Sequence, residues 1–166
     1  MEAQAVDIVE ETSTDQSIAD QPVLRGHRES DDAMIIDSWL RSGLQYPIYT
    51  AECGRPPIRL RPPPHLLLSQ NRTILKKLLP QASILVLADP EDSNHIIGWI
   101  CFETRSEQPD CLHFIFVKYN FRRLGFGRML MDEAQLSEEC EVSWRTPALN
   151  FFKKHSWTWN PYRSWK

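Results

Sequence analysis

No CxxC pair and no Cys/His pair at zinc spacing occurs in this sequence. Its four cysteines, Cys53, Cys101, Cys111 and Cys140, are therefore expected as reduced core thiols, with no metal site. No apolar run is long enough to cross a membrane. Residues 1–20 lack the basic and apolar regions of a secretory leader, so a soluble cytoplasmic protein is expected. Apolar side chains are also sparse in residues 1–30, which are rich in Asp, Glu, Gln, Ser and Thr. Such a segment cannot offset its ordering entropy alone, and it is expected as an acidic flexible tail, either a solubilising leader or a docking element for a partner. Residues 1–37 carry ten acids against Arg25 and Arg28. The remainder carries 17 basic and 12 acidic residues, so a mildly basic body follows an acidic front.

What is present suffices for one packed domain, expected over residues 31–166: 42% of the 166 residues are hydrophobic and six are Trp. Asp31-Asp32 opens a helix with Met34, Ile35, Ile36, Trp39 and Leu40 on its apolar side. Residues 50–64, with five prolines and Arg55, Arg59 and Arg61, read as an irregular, partly extended loop. A second helix is expected over residues 65–79, stopped by Pro80. Then come a hairpin of strands at 83–88 and 95–103 and a doubly buried strand at 112–117. A helix over 127–136, a strand at 141–144, a helix over 146–154 and a strand near 157–162 complete a mixed α/β layer.

The chemistry concentrates in Leu112 to Met131. A buried strand feeds the loop Arg122-Arg123-Leu124-Gly125-Phe126-Gly127, and a helix follows at once. Glycines at 125 and 127 permit positive φ and close approach of a ligand to the backbone. Free N–H groups at the positive end of a helix make an anion site suited to a pyrophosphate, and Arg122, Arg123 and Arg128 add charge for phosphates.

This run resembles the acyl-CoA motif of the GNAT superfamily of N-acyltransferases, Arg/Gln-x-x-Gly-x-Gly/Ala after a buried strand. Arg122, Gly125 and Gly127 meet each specified position. Residues 148–157 are similar to the family's last helix and turn, Ala-x-x-x-Tyr-x-Lys-x-Gly-Phe. There Ala148 and Lys154 match, while Phe152 replaces Tyr and Ser156 replaces Gly. Ser38–Arg41 together with Asn160–Tyr162 further resembles small GNAT-like proteins of tailed phages. The resemblance implies a GNAT-like fold, a central splayed mixed sheet flanked by helices, open between the parallel strands 112–117 and 141–144. It implies acetyl-CoA as cofactor, with pantetheine on the backbone of Phe116 and Val117 and the pyrophosphate on Arg122 to Arg128. An acceptor amine would attack the thioester directly. Phe152 cannot supply the proton that the family's Tyr gives the thiolate, which leaves Tyr162, Ser143, Thr146 or water, or a protein that binds CoA with little catalysis. The base candidates are His113 and Glu103.

Three functions follow as expectations. The first is an N-acetyltransferase acting on a small-molecule, protein or nucleic-acid amine, with no membrane and no metal involved. The second is a phage-type base-modifying acyltransferase similar to Mom-type enzymes, with Arg55, Arg59 and Arg61 on the acceptor side and Trp157, Trp159 and Trp165 available for base stacking. The third is a non-catalytic GNAT-like interaction protein of a phage, in the host cytoplasm.

Overall fold

In a computed structural model the chain is described for residues 21–45, 48–50, 58–60, 64–144, 146–161 and 163. Strands are β1 (Val23–Gly26), β2 (Ile48–Thr50), β3 (Ile58–Leu60), β4 (Ser83–Ala88), β5 (Ile96–Arg105), β6 (Gln108–Val117), β7 (Glu139–Val142) and β8 (Ser156–Trp159). Helices are α1 (Asp32–Gln45), α2 (Pro64–Leu78) and α3 (Phe126–Ala134), with short 3-10 turns at Glu29–Asp31, Tyr119–Phe121 and Pro147–Phe151. Six strands form one sheet in the order β1-β4-β5-β6-β7-β8. The first four pair antiparallel, and β6, β7 and β8 pair parallel. β2 and β3 make a separate two-stranded ribbon.

Both faces of the sheet are covered, so the central strands are apolar throughout rather than alternating. On one side Ile35, Trp39 and Leu40 of α1 and Leu75 and Leu78 of α2 pack on Ile84, Val86, Trp99, Cys101 and Phe114. On the other, Leu130, Met131 and Ala134 of α3 cover Leu87, Ile97, Ile100, Leu112 and Ile115. Gly98 lets β5 and β6 lie close. A Cβ there would come 2.8 Å from the Phe116 carbonyl oxygen and 3.3 Å from Val117 Cγ2. Because a backbone atom cannot step aside, Gly98→Ala is expected to destabilise the fold by about 1–3 kcal/mol, read as a lower midpoint in thermal unfolding.

Several expectations need correction. Val23–Gly26, placed within the flexible tail, is the edge strand β1, in register with Leu85–Ala88. It is held by Arg25, whose guanidinium grips Asp31 (2.7 and 2.9 Å) and the carbonyl of Ser93 (2.8 Å). Thr146–Lys154, expected as a helix, forms only the 3-10 turn Pro147–Phe151. The strand expected at 141–144 is β7 at Glu139–Val142, and the last strand ends at Trp159.

Candidate functional site

β6 and β7 are in register only at Asp110, Cys111 and Leu112, opposite Cys140, Glu141 and Val142. One further bond joins the two segments, from Ser143 N–H to Leu112 C=O at 3.2 Å. β6 then runs on to Val117, while the chain after β7 turns away into Pro147–Phe151. The sheet therefore forks at Leu112 and Ser143, leaving one edge of β6 without a strand beside it among the described residues. In the antiparallel pairing, Lys118 N–H donates to Ile97 C=O and Phe116 lies opposite Trp99. Alternation along an antiparallel pair then points the backbone groups of Phe116 at β5. Those of Ile115 and the N–H of Val117 face the fork. Phe116, expected to bind pantetheine through its backbone, thus has that backbone turned to β5, whereas Val117 N–H faces the fork.

At the top of β6 the chain makes the turn at Tyr119–Phe121 and enters α3 through Arg122–Gly125. Gly125 has φ +87° and Arg123 has φ 69°, both left-handed, and nothing lies within 4 Å of where a Gly125 Cβ would be. The first helical bonds are made by Arg128 and Met129 N–H to the Gly125 carbonyl. The N–H groups of Arg123, Leu124, Gly125, Phe126 and Gly127 have no hydrogen-bond partner among the described residues. Five orphan donors around an open left-handed turn, at the positive end of a nine-residue helix, form an anion cradle. Arg122, Arg123 and Arg128 are exposed around it and pair with no carboxylate among the described residues. Arg122 is anchored by its Nε–H to the Val117 carbonyl (3.0 Å), with its guanidinium over the Tyr119 ring. Arg122 to Arg128 thus sit together at one end of the fork, and they fit the diphosphate of a CoA thioester.

At the vertex of the fork lies a buried polar chain. Cys101 is opposite Phe114 and Phe102 is opposite Leu112, so His113 is the extra residue of a β-bulge. The bulge explains why Leu112 and Phe114, two apart, pack on opposite faces. His113 is fully buried. Its Nε2 is 3.2 Å from Glu103 Oε1, and its Nδ1 is 2.8 Å from Ser143 Oγ. Glu103 Oε2 is in turn 2.8 Å from Arg105. Burial lowers the His113 pKa from its ordinary value; Glu103 opposes that shift, and Arg163 and Arg105 add to it. The surroundings thus favour the neutral ring. Cys111 Sγ lies 4.0 Å from Nδ1, but burial pushes that thiol up to about 11, so it is not a thiolate near neutrality.

His113 and Glu103, named from sequence, are therefore brought together. Tyr162, Arg55 and Arg61 lie outside the described residues, and Arg59 is placed only by its backbone in β3. Phe152, at the sequence position of the family's Tyr, packs 3.6 Å from the place of a Gly127 Cβ. Thr146 Oγ1 is buried and unpartnered. Of the tryptophans expected to stack bases, Trp157 is packed against the α3-side core, and Trp165 lies outside the described residues. Asp110 is in β6, and its carboxylate accepts from Ser137 N–H (2.8 Å). Sequence reasoning missed Arg105 and Arg163. Arg105 is two residues from Glu103 on one strand, a spacing that was readable. Arg163 binds Gln108 Oε1 (2.6 Å) and Pro109 C=O (2.8 Å) across more than fifty residues, which no local pattern announces.

Residues 80–158 match the family model of the acetyltransferase (GNAT) domain. No curated protein sequence matches the chain. Among solved structures, a candidate acetyl transferase of Pyrococcus furiosus aligns with TM-score 0.56 at 14% identity, covering 81% of this chain and 91% of the other. A Corynebacterium glutamicum structure of "histone acetyltransferase HPA2 and related acetyltransferase" aligns with TM-score 0.51 at 15% identity, covering 81% and 83%. The chain spans 62% of the length of a candidate GNAT-family acetyltransferase of Desulfovibrio desulfuricans, itself covered over 68% (TM-score 0.44, 14% identity). These likenesses are of fold. Over residues 80–158 the chain is therefore similar to the GNAT acetyltransferase domain, and its fold is like that of the Pyrococcus furiosus and Corynebacterium glutamicum structures.

Proposed function

We propose that this chain is an N-acetyltransferase that moves an acetyl group from acetyl-CoA directly to an amine. The observation that carries the reading is the set of five orphan N–H groups of Arg123 to Gly127, opening beside a sheet forked at Leu112 and Ser143. The cofactor supplies the activated thioester. Arg123 to Gly127 and the surrounding arginines hold its phosphates, and the free edge of β6 at Ile115 and Val117 orients its pantetheine arm. Such fixing of the thioester lowers the entropic part of the barrier. His113, neutral and oriented by Glu103, takes the proton that the amine loses as the C–N bond forms.

The reading is tested by following thiol release from acetyl-CoA with spermidine, kanamycin and an alanine-initiated peptide as acceptors. Release that depends on one of these amines is the expected result. Tight acetyl-CoA binding without release on any of them would favour a non-catalytic module.

A further inference from the structure

We propose that Ser143 Oγ, backed by His113 and oriented through it by Glu103, carries the amine's proton across to the departing CoA thiolate. The proposal rests on the acyl-CoA reading above and adds a residue that replaces the hydroxyl missing at Phe152.

The position of Ser143 comes first. Its backbone makes the last bond between β7 and β6, so its side chain stands where the two strands part. A thioester lying in the fork would meet that vertex. The direction of the hydrogen bonds comes next. Glu103, paired with Arg105, faces His113 Nε2 at 3.2 Å, an ion-pair contact that favours the ring proton at that nitrogen. His113 Nδ1 then has a lone pair, and at 2.8 Å Ser143 must be the donor. This is the order of a serine–histidine–carboxylate chain, with Ser143, itself buried, at the end beside the fork. Finally, Phe152 stands at the sequence position of the family's Tyr, and it has no proton to give.

The steps balance without a further reactant. As the amine attacks, an N–C bond forms. The amine's proton passes to Ser143 Oγ while the serine's own proton passes to His113 Nδ1. When the tetrahedral intermediate collapses, the C–S bond breaks and sulfur takes the proton from Ser143. His113 then returns its proton to the serine. One chain serves as base and then as acid.

The charged and titratable groups around His113 are Glu103 and Arg105 from β5, Cys111 from β6 and Arg163 from the C-terminal segment. None of them offers Nδ1 a shorter contact than Ser143.

The test is 15N spectroscopy of the imidazole in the full chain, titrated with CoA and, separately, with desulfo-CoA, which lacks the thiol. The expected result is a neutral ring protonated at Nε2, with a Nδ1 signal that moves on adding CoA and stays put on adding desulfo-CoA. Ser143→Ala should lose that response, and Ser143→Thr, which keeps a hydroxyl, should recover it. A ring protonated at Nδ1 would overturn the proposal, as would equal responses to both ligands or a response that survives in Ser143→Ala. Failure of the backbone amides of Arg123 to Gly127 to respond to either ligand would instead sink the acyl-CoA reading beneath it.

Discussion

Gly127→Glu is expected to weaken acetyl-CoA binding at least about 100-fold, the equivalent of roughly 2.7 kcal/mol, while leaving the fold intact. The loss arises because a carboxylate at 127 sits within the cradle that would hold a diphosphate, and like charges set side by side cost several kcal/mol. The fold should tolerate the change for three separate reasons. A Cβ at 127 meets only Phe152 Cζ at 3.6 Å and Val117 Cγ2 at 3.9 Å, ordinary contacts. Glutamate is a better helix former than glycine. A negative charge in the first turn of α3 suits the helix dipole. Unfolding temperature and calorimetric titration, measured on one preparation, separate the two effects. Unchanged affinity with unchanged stability would remove the diphosphate from this loop.

His113→Gln is expected to lower kcat by about 10²–10⁴, the range for removing a general base, on whichever amine of the panel proves to be acetylated. Glutamine keeps hydrogen-bonding capacity toward both Ser143 and Glu103 but cannot accept a full proton. In the wild type the base works when neutral, so kcat/KM rises with pH through the His113 pKa and then levels. Since burial lowers that pKa, the rising limb should lie below about 6.5, the ordinary value for histidine. Glu103 opposes the lowering. Glu103→Gln should therefore move the limb to still lower pH, not higher. A limb above 6.5 in the wild type, or one that moves upward in Glu103→Gln, would contradict this assignment.

Much of this site was legible in the sequence because its signals are local. The loop Arg122–Gly127 follows an apolar strand and precedes an amphipathic helix, and all three are contiguous. The positive φ at Gly125 was readable from the residue type, whereas that at Arg123 was not. What escaped depends on contacts distant in sequence. β1 is four residues long and sits among polar ones, so its composition resembles a tail; pairing with β4 and the Arg25–Asp31 grip make it a strand. The fork could be expected only by resemblance, because β7 meets β6 across about thirty residues. The bulge at His113 leaves no mark in Leu-His-Phe-Ile, which reads as a regular strand. Without that bulge the ring's meeting with both Glu103 and Ser143 is invisible, although all three residues had been singled out one by one.

The most direct measurement of the central claim is the 15N–1H spectrum of the full chain titrated with acetyl-CoA. The account predicts that the amides of Arg123, Leu124, Gly125, Phe126 and Gly127 move together, along with Ile115 and Val117 at the fork. It also predicts that amides of β1, at the far edge of the sheet, hold their positions. Saturable binding that leaves Arg123–Gly127 unmoved, or no binding at all, would contradict it.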